Sequence, residues 1–249
     1  MSAETNRQNG RVYLDHAATT DVLPAAIDAM VEQMRAGGNP SSLHALGRDA
    51  RATVEYARER IARAIGADPA EVIFTSGGTE ADNLAVKGIY GKRREEDPQR
   101  TRILVSSIEH HAVEDTCEWL EKAEGAHVEW IPVDERGRVD PQTVRELIEK
   151  NPEDVALVTI MWANNEVGTV QPIPEIAAIA AEYGIPMHSD AVQAFGAVPI
   201  DFHASGVATL AISGHKIGGP MGIGALVATR AVQMTPVLHG GGQERSVRS

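Results

Sequence analysis

The chain has 249 residues, 43% hydrophobic, 23% charged and 4% aromatic, enough for one large globular domain or two small ones with a proper core. A formal charge of −12, from 35 acidic and 23 basic side chains, argues against nucleic acid or an anionic membrane as the main partner, because both need basic patches. A single cysteine, Cys117, excludes an intrachain disulfide and a cysteine-based metal site, and no metal is expected.

The first ten residues are polar and do not read as a signal peptide. The longest apolar run, Val155 to Ala163, is interrupted by Thr159 and is too short to span a bilayer, so a cytoplasmic location is expected. Along the chain, helical patterns over Ala25–Ala36 and Asp49–Ile65 precede a strand-like run at Glu71–Thr75. There follow a helix at Glu80–Ile89, a strand at Arg102–Ser106, a helix at Ala112–Ala123 and a strand at Val128–Val133. Pro141–Lys150 reads as helix, Val155–Met161 as strand, Glu175–Tyr183 as helix, and Pro186–Asp190, Thr209–Ser213 and Ala225–Thr229 as strands. Strands separated by helices of about ten residues predict βαβ units, hence an α/β fold whose mostly parallel sheet is flanked by helices.

Ligands of such sheets collect at the carboxyl ends of the strands, and polar residues cluster there. Ser76-Gly77-Gly78-Thr79 follows the first strand, Glu109-His110 the second, Asn164-Asn165 the fourth, Asp190 the fifth and His215-Lys216 the sixth. Gly78 lets the backbone approach an anion at a helix N-terminus, and Thr79 adds a hydroxyl, although a plain turn capped by Thr79 would look the same. Lys216, held among small residues, is poorly solvated, which favours the neutral amine that an imine with an aldehyde cofactor requires. Asp190 has the right charge to keep a pyridine nitrogen protonated, or it caps a helix. His110 suits ring stacking and proton transfer, or a structural role. Asn165 and Gln193 suit a ring oxygen, with an Asx-turn as the alternative for Asn165. Each residue alone is weak evidence; together they supply the parts of a pyridoxal 5'-phosphate (PLP) site.

Several segments then resemble one family. They are Tyr13-Leu14-Asp15-His16-Ala17-Ala18-Thr19-Thr20, Gly38-Asn39-Pro40-Ser41-Ser42, Thr75-Ser76-Gly77-Gly78-Thr79-Glu80-Ala81-Asp82-Asn83, Asn164-Asn165-Glu166-Val167-Gly168, Ser213-Gly214-His215-Lys216 and His239-Gly240-Gly241-Gly242-Gln243-Glu244-Arg245. All are similar to cysteine desulfurases of the iron–sulfur assembly and nitrogen-fixation type. The resemblance implies PLP fold type I, a homodimer, and L-cysteine as substrate, with alanine and an enzyme persulfide as products. The persulfide sulfur would pass to an acceptor or iron–sulfur scaffold protein. It implies Lys216 as the Schiff-base lysine, Asp190 as the pyridinium partner and His110 as the stacking acid/base. Gly78, Thr79, Ser213 and His215 would hold the phosphate, with Asn165 and Gln193 at the ring oxygen.

Members of this family continue into a smaller C-terminal domain that carries the persulfide cysteine. The sequence is therefore expected to be C-terminally truncated, with residues 1–20 an N-terminal arm or small-domain segment and 21–249 the PLP-binding large domain. Cys117 does not match the persulfide position and is expected to be packed inside a helix. Weak PLP binding, no turnover by the chain alone, a poorly anchored Tyr13–Thr20 segment and exposed apolar surface are further expectations. Another class-V lyase or transaminase, and a non-catalytic scaffold built on the same fold, stay open as alternatives.

Overall fold

The computed structural model describes residues 12–249, so the expected N-terminal arm lies outside the described residues over 1–11. Two helices come first, α1 (Pro24–Ala36) and α2 (Ala45–Ala64). Proline at the first turn of α1 supplies a preset φ and lacks only an N–H that would have no helical partner.

Seven strands follow: β1 (Val72–Thr75), β2 (Arg102–Ser106), β3 (His127–Ile131), β4 (Val155–Thr159), β5 (Met187–Asp190), β6 (Thr209–Ser213) and β7 (Gly224–Ala228). Between them stand α3 (Gly78–Glu96), α4 (His111–Glu124), α5 (Pro141–Lys150), α6 (Ile173–Glu182) and the single turn α7 (Phe202–Ser205). The strands form one sheet in the order β1-β7-β6-β5-β4-β2-β3. Pairing is parallel from β3 through to β6, while β7 runs antiparallel to both β6 and β1. Two reversals restore direction, so β1 points the same way as β6. The carboxyl ends of β1, β2, β4, β5 and β6 therefore share one rim, as the alternation of strands and helices predicts.

Side-chain alternation along the strands divides the core between two faces. Leu104, Val158, Ile160, Leu210 and Ile212 pack with Ile148, Ile173 and Ile176 from α5 and α6, and with Ala62 of α2. Ile103, Val105 and Leu157 face the other way, onto Val86, Ile89 and Tyr90 of α3 and Val113 and Leu120 of α4. Cys117 lies in this second cluster and is fully buried, as expected; burial pushes its thiol well above the ordinary range. Strand β3 stops at Ile131, two residues before the sequence-based boundary, because Pro132 has no N–H for the ladder.

The segment before α1 departs from expectation. Thr20 donates its N–H and its hydroxyl to the His215 carbonyl, each at 2.9 Å, and its Oγ accepts from Gly218 N–H at 2.8 Å. Leu23 N–H donates to Gly218 O at 2.8 Å. Paired threonines bind loop backbone through both main chain and side chain, which anchors the Ala17–Thr20 end of a stretch read as loose. The expected exposed apolar surface is present: α1 buries no residue, and Ile27, Val31 and Met34 lie open along it.

Candidate functional site

The shared rim encloses a cavity of about 520 Å³ lined by Gly78, Thr79, His110, Asn165, Asp190, Gln193, Ser213, His215 and Lys216. All the residues singled out in the sequence thus converge on one space. Asp15, Ala17, Ala18, Asp82 and Met161 complete the parts of the wall used below.

One end of the cavity is the start of α3. The helix begins at Gly78, two residues earlier than its pattern suggests, and Gly77 at the N-cap position supplies no side-chain cap. Thr79 is therefore inside the first turn rather than the cap. The first N–H groups and the helix dipole face the cavity free of a capping side chain, which suits an anion. The Ser213 hydroxyl beside them is buried without a partner. A Cβ on Gly78 would meet Val192 Cγ2 at 2.5 Å, so the close approach of helix and neighbouring loop requires glycine here.

Lys216 sits in the turn after β6. Its Nζ donates to the carbonyls of Ala17 and Ala18, the latter at 3.0 Å. Burial lowers its pKa, against the opposing pull of Asp190 and Asp15, which moves it toward the neutral, nucleophilic amine. His215 precedes it with Nδ1 at 3.2 Å from Thr19 Oγ, and burial followed by the Lys216 charge lowers its pKa as well.

Asp190 ends β5. Its Oδ1 accepts from Val192 N–H at 2.8 Å in a turn, not at the start of a helix. Burial, and then the charge of Asp82, push its carboxyl up to about 7. A cation placed against it would reverse that shift, as a pyridinium nitrogen does. His110 caps α4, its Nδ1 accepting from Ala112 N–H at 3.1 Å. Capping and chemistry are compatible, because Nε2 remains for the cavity that the ring lines. The Asx-turn considered for Asn165 belongs to its neighbour: Asn164 Oδ1 accepts from Glu166 and Val167 N–H, both at 2.9 Å. Asn165 is left to face the cavity, and Gln193 Oε1 is buried without a partner.

Glu109, noted at the rim in the sequence without a role, is half-buried with its carboxyl turned inward, and two fully buried residues, Asp82 and His188, were given no role there. Glu109 accepts from Ser106 Oγ at 2.5 Å and Met161 N–H at 2.6 Å, and burial pushes it up to about 8. Asp82 Oδ1 lies 3.2 Å from His188 Nε2, and His188 Nδ1 lies 2.9 Å from Thr209 Oγ. Burial lowers His188 to about 4 and raises Asp82. A signal existed for both. Asp82 stands four residues after Gly78 and four before Val86, on the buried stripe of α3, and His188 shares the sheet face of Asp190.

The donor set fits PLP. Unpartnered Ser213 Oγ and Gln193 Oε1, an uncapped helix start, a carboxyl raised by burial and a primary amine lowered by burial lie around one cavity. Such orphaned groups are rare in a finished interior and indicate a polar occupant.

Comparison with known proteins agrees. The class-V aminotransferase family model matches residues 12–249. Over 237 residues the chain is 56% identical to an IscS-like cysteine desulfurase of Mycobacterium tuberculosis, covering 95% of this chain and 60% of that protein. It is 46% identical over 243 residues to the cysteine desulfurase IscS of Methanosarcina thermophila, covering 97% and 58%. Among solved structures, SspA in complex with cysteine superposes with a TM-score of 0.88 at 41% identity, over 95% of this chain and 67% of that one. A NifS-like protein gives a TM-score of 0.88 at 38% identity, over 96% and 65%. The chain spans about 60% of the length of these curated relatives. It belongs to the class-V aminotransferase family, among relatives named cysteine desulfurases.

Proposed function

We propose that this chain is the PLP-binding part of a cysteine desulfurase, which removes sulfur from L-cysteine and leaves alanine. The observation that carries the proposal is the convergence of Lys216, Asp190 and the orphaned Ser213 and Gln193 atoms on one cavity. Relatives named cysteine desulfurases, and the cysteine bound to SspA, support cysteine as the substrate.

In this reading the start of α3, with Gly78, Thr79, Ser213 and His215, holds the phosphate. Asp190 would hold the ring nitrogen, Asn165 and Gln193 the ring oxygen, and His110 would stack on the ring. When bound, PLP supplies the electron sink that stabilises charge developing at the substrate Cα. Lys216, its pKa lowered by burial, would be the residue that holds the cofactor through its amine in place of the Ala17 and Ala18 carbonyls, and the same amine would move a proton at the substrate. His110, fixed at Nδ1 by its cap, moves protons through Nε2. Cys117 is buried and too far raised to form a thiolate, so the sulfur goes to another thiol, and from there to an acceptor or iron–sulfur scaffold protein. The open apolar surface of α1, with Leu43, Leu46 and Tyr56, supports burial against a second copy or a further domain in the complete protein, which we take to be a cytoplasmic homodimer.

The test is an absorbance titration of the purified chain with PLP, followed by borohydride reduction of the chain and of Lys216→Ala. A visible band fixed covalently only when Lys216 is present is the expected result. No band in the wild type overturns cofactor binding by this chain, and equal fixation in Lys216→Ala overturns the assignment of the lysine.

A further inference from the structure

Two buried carboxyl groups, Asp82 and Asp190, line the cavity, and the buried carboxyl of Glu109 lies close enough behind them to act on both. Resting on the cofactor reading above, we propose that Asp82 is a positioning residue which stays protonated, held by His188, so that Asp190 is the anion that meets the cofactor ring. Asp190 Oδ1 accepts from the backbone N–H of Val192 at 2.8 Å. Asp82 has no comparable support. It is 1% exposed, its Oδ1 faces an imidazole and its Oδ2 has no partner at all.

The imidazole cannot supply a compensating charge. His188 is 0% exposed and lies between Asp82 Oδ1 and Thr209 Oγ, with burial holding it neutral at neutral pH. A neutral ring has one N–H. With that proton on Nε2, His188 donates to Asp82 Oδ1, and Nδ1 accepts from the Thr209 hydroxyl. The Asp82 proton then belongs on Oδ2, the atom left over, and Asp82 lines the cavity. Like charges in a shared volume of low dielectric do not both ionise, and the member with better hydrogen-bond support ionises first. Glu109, in the β2–α4 connection behind the cavity wall, has Ser106 and Met161 on one oxygen and nothing on the other. The chain thus presents one net negative charge to one pyridinium, rather than two or three.

The first test needs no cofactor. The full chain is labelled with carboxyl-13C aspartate, which leaves Glu109 silent, and its infrared spectrum is recorded at about pH 8.5, above the value of about 7 for Asp190. A protonated-acid C=O band present in the wild type and in Asp190→Asn, and absent in Asp82→Asn, is expected. A band lost in Asp190→Asn but kept in Asp82→Asn overturns the proposal, as does no band in any of the three.

The second test reads PLP affinity between about pH 7 and pH 9, with thermal unfolding as the check on folding. Asp82→Ala removes the group held by His188 on the cavity floor and is expected to weaken binding by about tenfold near neutral pH. Asp82→Asn keeps a neutral group with N–H donors and is expected to restore most of that affinity. Asp82→Asn as weak as Asp82→Ala, with both folded, overturns the proposal, because the negative charge would then be what matters. Failure of the wild-type chain to bind PLP would count against the cofactor reading, and the infrared result would still decide the state of Asp82.

Discussion

The two rims of this sheet carry buried charge in opposite ways. At the amino end of β2, Arg102 is 4% exposed and every branch of its guanidinium is used. Nε donates to Asp154 at 2.7 Å, Nη1 to Glu129 at 2.6 Å and Leu147 O at 2.9 Å, and Nη2 to Asn151 O at 2.9 Å. Burial alone would raise the Glu129 carboxyl, but the bonds from Lys150 and Arg102 outweigh it and hold it below the ordinary value. At the carboxyl ends, Asp82, Glu109, Gln193 and Ser213 each keep a buried atom without a partner, and Asp190 and Glu109 are pushed toward neutrality. On the amino rim the Arg102 network is closed to further partners and serves stability, although Arg93 Nε on the same rim is buried without one. The other is open to a ligand, and its imperfect pairing weakens the empty fold while preparing it for an occupant.

The largest expected effect breaks the closed rim. Arg102→Met would leave two carboxylates and two carbonyls without their donor, and truncating one member of a buried charge network costs roughly 3–5 kcal/mol. Glu129 and Asp154 retain 22% and 29% exposure and can recover some hydration, so a loss of about 3 kcal/mol in urea unfolding is expected. PLP affinity should change little. A stability loss below about 1 kcal/mol would mean that the rim is no better satisfied than its opposite.

The contrast between rims also explains what the sequence could reveal. Polar residues that close or follow a strand-like run, such as Asp190 at the end of Pro186–Asp190 or Lys216 after Thr209–Ser213, announce themselves, because chain order alone places them at strand ends. The antiparallel β7 was less legible. Its apolar run is the same in either direction, and only the pairing register reveals the reversal. Asp82 was hidden by type: a carboxylate on an amphipathic helix usually faces water, and its inward position depends on tertiary packing of α3 over the sheet. Anchoring of Ala17–Thr20 depends on contacts almost two hundred residues away in sequence, which no local pattern shows.

A second prediction loads the open rim. Asp190→Asn keeps an acceptor for Val192 N–H and removes a carboxyl whose folded value, about 7, lies above its ordinary 3.8. A raised carboxyl binds its proton more tightly in the folded state, so wild-type stability falls as the pH climbs through that window. The variant should therefore be more stable than wild type, little different near pH 3, with the gain growing through the window and levelling off above about pH 7, at about 2 kcal/mol. PLP affinity should fall in the same variant, by about a hundredfold, because the ring nitrogen loses its counter-ion. Opposite signs for stability and ligand affinity are the signature of a residue kept for binding; a loss of both would place Asp190 with the stabilising network instead.

The smallest effect sharpens the same distinction at a single atom. Ser213 is 2% exposed and its hydroxyl has no partner, so Ser213→Ala deletes a buried polar group without orphaning another. Removal of such a group is near neutral or slightly stabilising, within about 0.5–1 kcal/mol, in contrast to deletion of a bonded hydroxyl. If the hydroxyl is reserved for an anion at the start of α3, the variant should bind both PLP and inorganic phosphate about fivefold more weakly. It should bind pyridoxal, which lacks the phosphate, as wild type does. Equal weakening for pyridoxal would place the hydroxyl at the ring instead of the phosphate. A stability loss above about 1 kcal/mol would show that the hydroxyl already has a partner, and this position would then belong with the satisfied rim.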